Sequence, residues 1–325
     1  MEDLNFIDLV DFNLECGKRE QCIALSYQTF GPAIGEAPVV LVNHALTGNS
    51  NVCGVNGWWN KMVGPGKAID TDSFTVLVFN IPGNGFDGKS DNLIFGYKDY
   101  NIRDIAGIFW QGLFKLGINR LFAVTGGSLG GAVSWEMGVL HVDRIDNLIP
   151  IASDWKATDW LVANVIVQQQ ILEHSVQPIE DARAHAMLLY RTPLSFKKRF
   201  QRRPAEEVYA YQVEDWLDYH GKQLKGRFSL SAYKLMNHLL KTNDITRGRQ
   251  GFTEIANKIE ASIHMIGIDS DCFFTADENI ETYNLLKDVH PSICYHEIKS
   301  VHGHDGFLIE YDQLGEIIKN IIKTK

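Results

Sequence analysis

The sequence predicts an α/β fold: a mostly parallel central sheet, helices on both faces, and a helical cap inserted between two strands. Three observations carry that expectation. Short β-branched runs alternate with longer amphipathic stretches along most of the chain. The run Val39-Val40-Leu41-Val42 is apolar at every position, as a strand covered on both faces should be. From Asp154 to about Arg249 the alternation stops, and helical patterns follow one another with almost no strand between them.

Strands are expected at 22–30, 39–43, 74–80, 121–125 and 148–151, with an amphipathic helix over 102–116. Helices over 160–173, 179–190, 208–222 and 231–241 fill the insertion. Strands return at 262–268 and 293–298, and a helix over 314–322 closes the chain. Residues 1–153 and 250–325 are read as the core and 154–249 as the cap. Such a cap would cover the C-terminal strand ends, where open α/β sheets bind ligands.

Composition narrows the function. The chain has 325 residues, 45% of them apolar, enough for one large domain with an insertion. A net charge of −9 argues against nucleic acid as a partner. The one basic cluster, Lys197-Lys198-Arg199-Phe200-Gln201-Arg202-Arg203, reads as a solvated helix face that could still lie near a phosphate-bearing substrate. Five cysteines lack C-x-x-C spacing and eleven histidines lack H-E-x-x-H, which suggests neither a disulfide framework nor a metal site. No apolar run has membrane-span length, and the acidic start Met1-Glu2-Asp3 does not resemble a signal peptide. A cytoplasmic protein is expected.

The chemistry centres on Gly126-Gly127-Ser128-Leu129-Gly130-Gly131, which joins a strand to a helix through a sharp turn with serine at its apex. A serine nucleophile needs a base, and the base needs an orienting acid. The strand at 262–268 ends in Asp269-Ser270-Asp271, and the strand at 293–298 is followed by His302-Gly303-His304-Asp305-Gly306. Acid and base therefore follow Ser128 in chain order, each just past a strand end. Asp269 and Asp271 both compete for the acid; Asp271 is preferred, as is His304 over His302. Acyl transfer also needs N–H donors for an oxyanion. The backbone N–H of Leu129 supplies one, and that of Leu46, in the loop after 39–43, is the best candidate for the other. His44 in that loop is read as a structural hydrogen-bonding residue.

On these residues the chain resembles the homoserine O-acetyltransferase family of α/β-hydrolase-fold enzymes. The resemblance runs almost end to end: His44-Ala45-Leu46-Thr47-Gly48, Gly57-Trp58-Trp59, Gly64-Pro65-Gly66-Lys67, Ile102-Arg103-Asp104, the serine turn, Tyr190-Arg191-Thr192, Gln212-Val213-Glu214, Asp271-Cys272-Phe273-Phe274 and Gly303-His304-Asp305-Gly306-Phe307. It implies transfer of an acyl group from acyl-coenzyme A, a co-substrate rather than a bound cofactor, to the serine and then to L-homoserine. Ser128 would be nucleophile, His304 base and Asp271 its orienter. Asp305 would take the substrate ammonium and Arg191 its carboxylate. A homodimer through the cap helices is implied as well. The chain departs from the family pattern in the short segment Ile81-Pro82-Gly83-Asn84-Gly85-Phe86-Asp87-Gly88, in Trp216 and in Ser229. Those departures leave the acyl donor and acceptor alcohol open, and keep a serine esterase or thioesterase as the rival reading.

Overall fold

The structure is a computed structural model that describes residues 4–205 and 210–323. Its strands are β1 (Asn5–Asn13), β2 (Arg19–Phe30), β3 (Val39–Asn43), the two-residue β4 (Val63–Gly64) and β5 (Ile69–Asp70), β6 (Thr75–Phe79), β7 (Leu121–Gly127), β8 (Ile145–Ile151), β9 (Ser262–Ile268) and β10 (Ile293–Ile298). Eight of them form one sheet in the order β1-β2-β6-β3-β7-β8-β9-β10. β1 and β2 pair antiparallel, β2 meets β6 antiparallel, and every pairing from β6 to β10 is parallel. The expected α/β fold is present. β1 was not expected: its alternation puts only Leu9 and Phe12 into the core, too sparse a pattern to read as a strand.

The helices are α1 (Ile102–Lys115), α2 (Leu129–Leu140), α3 (Asp159–His174), α4 (Pro178–Tyr190), α5 (Pro193–Phe200), α6 (Gln212–Lys225), α7 (Leu230–Lys241), α8 (Phe252–Ala256), α9 (Ala276–Leu286) and α10 (Tyr311–Ile321). The first two positions of the helix expected over 208–222, Val208 and Tyr209, lie outside the described residues; Ala210 and Tyr211 precede the helix, and α6 begins at Gln212 and runs on to Lys225. Both faces of the sheet are buried. Leu41, Leu77, Val124 and Leu148 pack toward α1 and α2, while Val40, Val76, Ala123 and Ile149 pack toward α10 and the Trp59 loop. That is why β3 and β6 are apolar at nearly every residue. Among the described residues no helix is long and apolar enough to cross a membrane.

Helices α3 to α7 lie between β8 and β9 in the chain, and their two roots are tied together. Ala157 N–H donates to Asn243 O at 2.7 Å, and Asn243 Nδ2 donates to Asp154 O at 2.9 Å. Asp154 itself is fully buried, with no cation in contact among the described residues. Its carboxylate accepts from Trp155 N–H (2.7 Å), Thr282 Oγ1 (2.9 Å) and Asn279 Nδ2 (3.3 Å), which fastens the cap root to α9. Burial raises its pKa to about 7, against the opposing pull of those hydrogen bonds. The folded chain therefore holds a proton that the unfolded chain releases near pH 4, and stability falls as pH rises from there toward 7. Relative to Asp154→Asn, the wild type should lose ~1.4 kcal/mol per pH unit across that window. Urea unfolding of both proteins at several pH values checks this; parallel stability curves would contradict it.

Candidate active site

β7 delivers Ser128 to the C-terminal edge of the sheet. The serine sits at φ 57°, ψ −122°, a backbone conformation that costs energy for any residue with a Cβ. What holds it there is close backbone packing. A Cβ at Gly126 would lie 2.5 Å from the Asn43 carbonyl oxygen, and one at Gly130 would collide with the same atom. The last residue of β3 and the first turn of α2 thus approach too closely for any side chain. Ser128 N–H donates to Ile151 O at 2.9 Å, which fixes the turn to β8. The side chain does not cap α2, so Oγ is left uncommitted at the helix N-terminus. Gly130→Ala is expected to cost at least about 3 kcal/mol, because backbone rather than a side-chain tip must move. Denaturant titration checks this; a loss under about 1 kcal/mol would show that the turn relaxes easily.

The acid and the histidine meet. Asp271 Oδ2 lies 2.7 Å from His304 Nδ1, with both side chains buried. Asp271 Oδ1 accepts from Phe273 N–H (2.7 Å) and Phe274 N–H (3.0 Å), so the loop after β9 holds the carboxylate in one orientation. Asp269 lies elsewhere: it accepts from Ser300 N–H at 2.9 Å and faces Lys299. His302 Nδ1 is 3.0 Å from Ser195 Oγ, in the cap. The His304 ring is walled by Tyr190, Phe273, Phe274 and Phe307, with centroids 5.2 to 5.8 Å away. Phe307 also packs on the serine turn, since a Cβ at Gly127 would strike its ring.

The oxyanion candidates stand at the same edge. Leu129 opens α2 and Leu46 follows β3, both buried. Among the described residues neither backbone N–H is used by another group. His44 is a fixture of that loop. Its Nδ1 donates to Ala45 O (2.8 Å), Nε2 accepts from Ile81 N–H (3.0 Å), and burial lowers its pKa to about 4, so it stays neutral.

Arg191 and Asp305 are brought together, and to each other: Arg191 Nη1 lies 3.4 Å from Asp305 Oδ2, with Nε donating to Ser195 Oγ at 3.2 Å. Both line a cleft of about 970 Å³ between α4, α5, α6 and the 3₁₀ turn Gly303–Leu308. Burial raises the Asp305 pKa, opposed by Arg183, Arg191 and His304. Sequence reasoning missed Arg183. The signal was present in the spacing: Arg183, Met187 and Arg191 recur every fourth residue, and all three line the cleft. Of the departures from the family pattern, Trp216 lines this cleft and packs on Phe196 and Phe200, and Ser229 caps α7 by accepting from Ala232 N–H. Asn84 of the short segment 81–88 reaches Asn80 Oδ1 at 3.1 Å and braces the His44 loop.

Comparison with known proteins bears on the family and the fold. The α/β hydrolase fold family matches residues 38–225. The homoserine O-acetyltransferase of Cyclobacterium marinum is 31% identical, over 95% of this chain and 92% of that one. The crystal structure of homoserine O-acetyltransferase from Bacillus anthracis shares the fold at TM-score 0.88 and 18% identity, covering 99% of this chain and 98% of that one. An acetylester hydrolase from Corynebacterium glutamicum shares it at TM-score 0.84 and 18% identity, over 99% and 96%. The fold match, and a relative so similar over nearly the whole of both chains, place this chain in the homoserine O-acetyltransferase family of α/β-hydrolase-fold enzymes.

Proposed function

We propose that the chain transfers an acetyl group from acetyl-coenzyme A to the hydroxyl of L-homoserine through an acyl-enzyme on Ser128, by ping-pong kinetics. The observation that carries this reading is the buried 2.7 Å contact between His304 Nδ1 and Asp271, on the sheet edge that presents Ser128. Asp271 keeps the imidazole proton on Nδ1, so Nε2 is the free base. Ser128 gives its proton to Nε2 as Oγ bonds to the thioester carbon. The resulting oxyanion takes the Leu46 and Leu129 N–H groups. The C–S bond then breaks, and the departing thiolate takes the proton from Nε2. In the second half the homoserine hydroxyl gives its proton to Nε2 and attacks the acyl carbon, and Ser128 leaves with that proton.

The acceptor exchanges into an existing ion pair. Its carboxylate would take Arg191 and its ammonium Asp305, each replacing the other at 3.4 Å. The aromatic wall around His304 and the buried Leu46 support exclusion of water, which would otherwise hydrolyse the acyl-serine. Exposed Ile166, Val167, Leu188 and Leu194 on the cap helices support a homodimer through the cap, testable by sedimentation equilibrium.

Intact mass tests the central claim. Incubation with acetyl-coenzyme A should add one acetyl group, and L-homoserine should discharge it. Thiol release should depend on homoserine. Equal release with and without it would make the protein an esterase or thioesterase, the reading that the shared fold with an acetylester hydrolase keeps in view.

A further inference from the structure

The cleft beside Arg191 and Asp305 carries charge that the acceptor does not use. Arg183, Arg199 and Arg203 line it together with Arg191, against Asp215 and Asp305 as the only carboxylates among the described residues. This concentration of guanidinium groups sits in a chain of net charge −9. Among the described residues Arg183 and Arg199 form no ion pair. They rest on aromatic faces instead: Arg183 lies 5.7 Å from the Tyr190 ring centroid, and Arg199 5.6 Å from that of Trp216. A guanidinium held by its flat face keeps its N–H edge free for an anion. The positive field is strong enough that Arg183 and Arg199, after burial, help to hold the His220 pKa down to about 4. Trp216 and Tyr219 supply aromatic surface on the same wall.

We propose that this cleft binds the phosphorylated nucleotide end of the acyl donor, with Arg183 and Arg199 as phosphate ligands and Trp216 or Tyr219 as the surface for its base. The proposal rests on the acyl-coenzyme A reading above and adds residues to it. Two things favour a ligand with several phosphates and an aromatic base over a simple anion. The cleft is much larger than the acceptor needs, and aromatic rings stand against its arginines, Tyr190 under Arg183 and Trp216 under Arg199. Arg183 lies on α4 one turn before Met187, and Arg191 is the extended residue that follows the end of that helix, so donor and acceptor would be held by one helix and the residue that leaves it.

Adenosine 3′,5′-bisphosphate is the probe, because it binds without any chemistry. Calorimetry should show it bind the wild-type protein, more weakly as salt is added, and about tenfold or more weakly to Arg183→Gln and to Arg199→Gln. Adenosine alone and inorganic pyrophosphate alone should each bind more weakly than the bisphosphate. In parallel, kcat/KM is compared for acetyl-coenzyme A and for S-acetyl-N-acetylcysteamine, which lacks the nucleotide. The preference for the full donor should fall about tenfold in either variant. Arg120→Gln, at an exposed ion pair with Asp146, should leave that preference as it is. Retention of the preference and of bisphosphate binding in both variants would overturn the proposal while leaving the acetyl-transfer reading intact. Bisphosphate binding lost in the variants, with no acetyl transfer from acetyl-coenzyme A by the wild type, would instead sink that reading and leave a nucleotide site in place.

Discussion

Ser128→Ala is expected to lower acetyl transfer by about 10,000-fold or more and to abolish the acetylated form seen by mass. The size follows from what remains and what is lost. The Leu46 and Leu129 N–H groups, His304 and the cleft stay in place, so thioester and acceptor still bind. What goes is the atom that, on the proposed mechanism, carries the acyl group between the two half-reactions. Stability should hardly change. The serine side chain does not cap α2, and alanine meets the same backbone cost at φ 57°. A variant that folds, binds adenosine 3′,5′-bisphosphate and transfers no acetyl group is therefore the expected outcome. Retained transfer above about a hundredth of the wild-type rate would mean that Ser128 is not the carrier.

The fold was legible because its signals are local. A strand buried on both faces is apolar along nearly its whole length, and β3 and β6 are. The four glycines of the serine turn cluster in sequence because each meets a close neighbour: Gly126 and Gly130 the Asn43 carbonyl, Gly127 the Phe307 ring and Gly131 the Ser153 side chain. The order of Ser128, Asp271 and His304 was readable because each lies just past a strand that announces itself. Other features could not be read in this way. The segment Ile102-Arg103-Asp104 contributes to the resemblance, yet its residues build scaffold: Asp104 closes a capping box with Asn101, and Arg103 bridges Glu136, Glu15 and the Arg247 carbonyl. Those partners come from segments up to 144 residues away. The short helix α5 within the basic cluster, the helix α9 and the sparse strand β1 have patterns too weak to stand alone. That Arg191 and Asp305 face each other also depends on how α4 docks against the turn after β10, which spacing does not encode. Asp154 looked like any boundary residue; only its burial without a cation marks it out.

Asp271→Asn separates orientation from mere presence. In the wild type one carboxylate oxygen accepts two backbone N–H groups, from Phe273 and Phe274, and the other faces His304 Nδ1. An amide has one acceptor oxygen. The two N–H groups claim it, because an NH₂ turned toward them would leave buried donors facing each other. The NH₂ of the substituted side chain must then point at Nδ1, which can only accept from it. The imidazole proton is driven to Nε2, the atom that has to take the proton of Ser128. On the proposed mechanism the base is present but in the wrong tautomer, and kcat should fall by about 10,000-fold. The fold should survive, since both loop hydrogen bonds are kept. Asp271→Ala removes those bonds too and should cost about 1 to 3 kcal/mol of stability in addition. Asp269→Asn, whose partners are Ser300 and Lys299, should change kcat little. Rates and melting temperatures of the three variants decide the matter: an Asp271→Asn protein with more than about a tenth of wild-type kcat would show that His304 does not depend on this carboxylate for its proton arrangement.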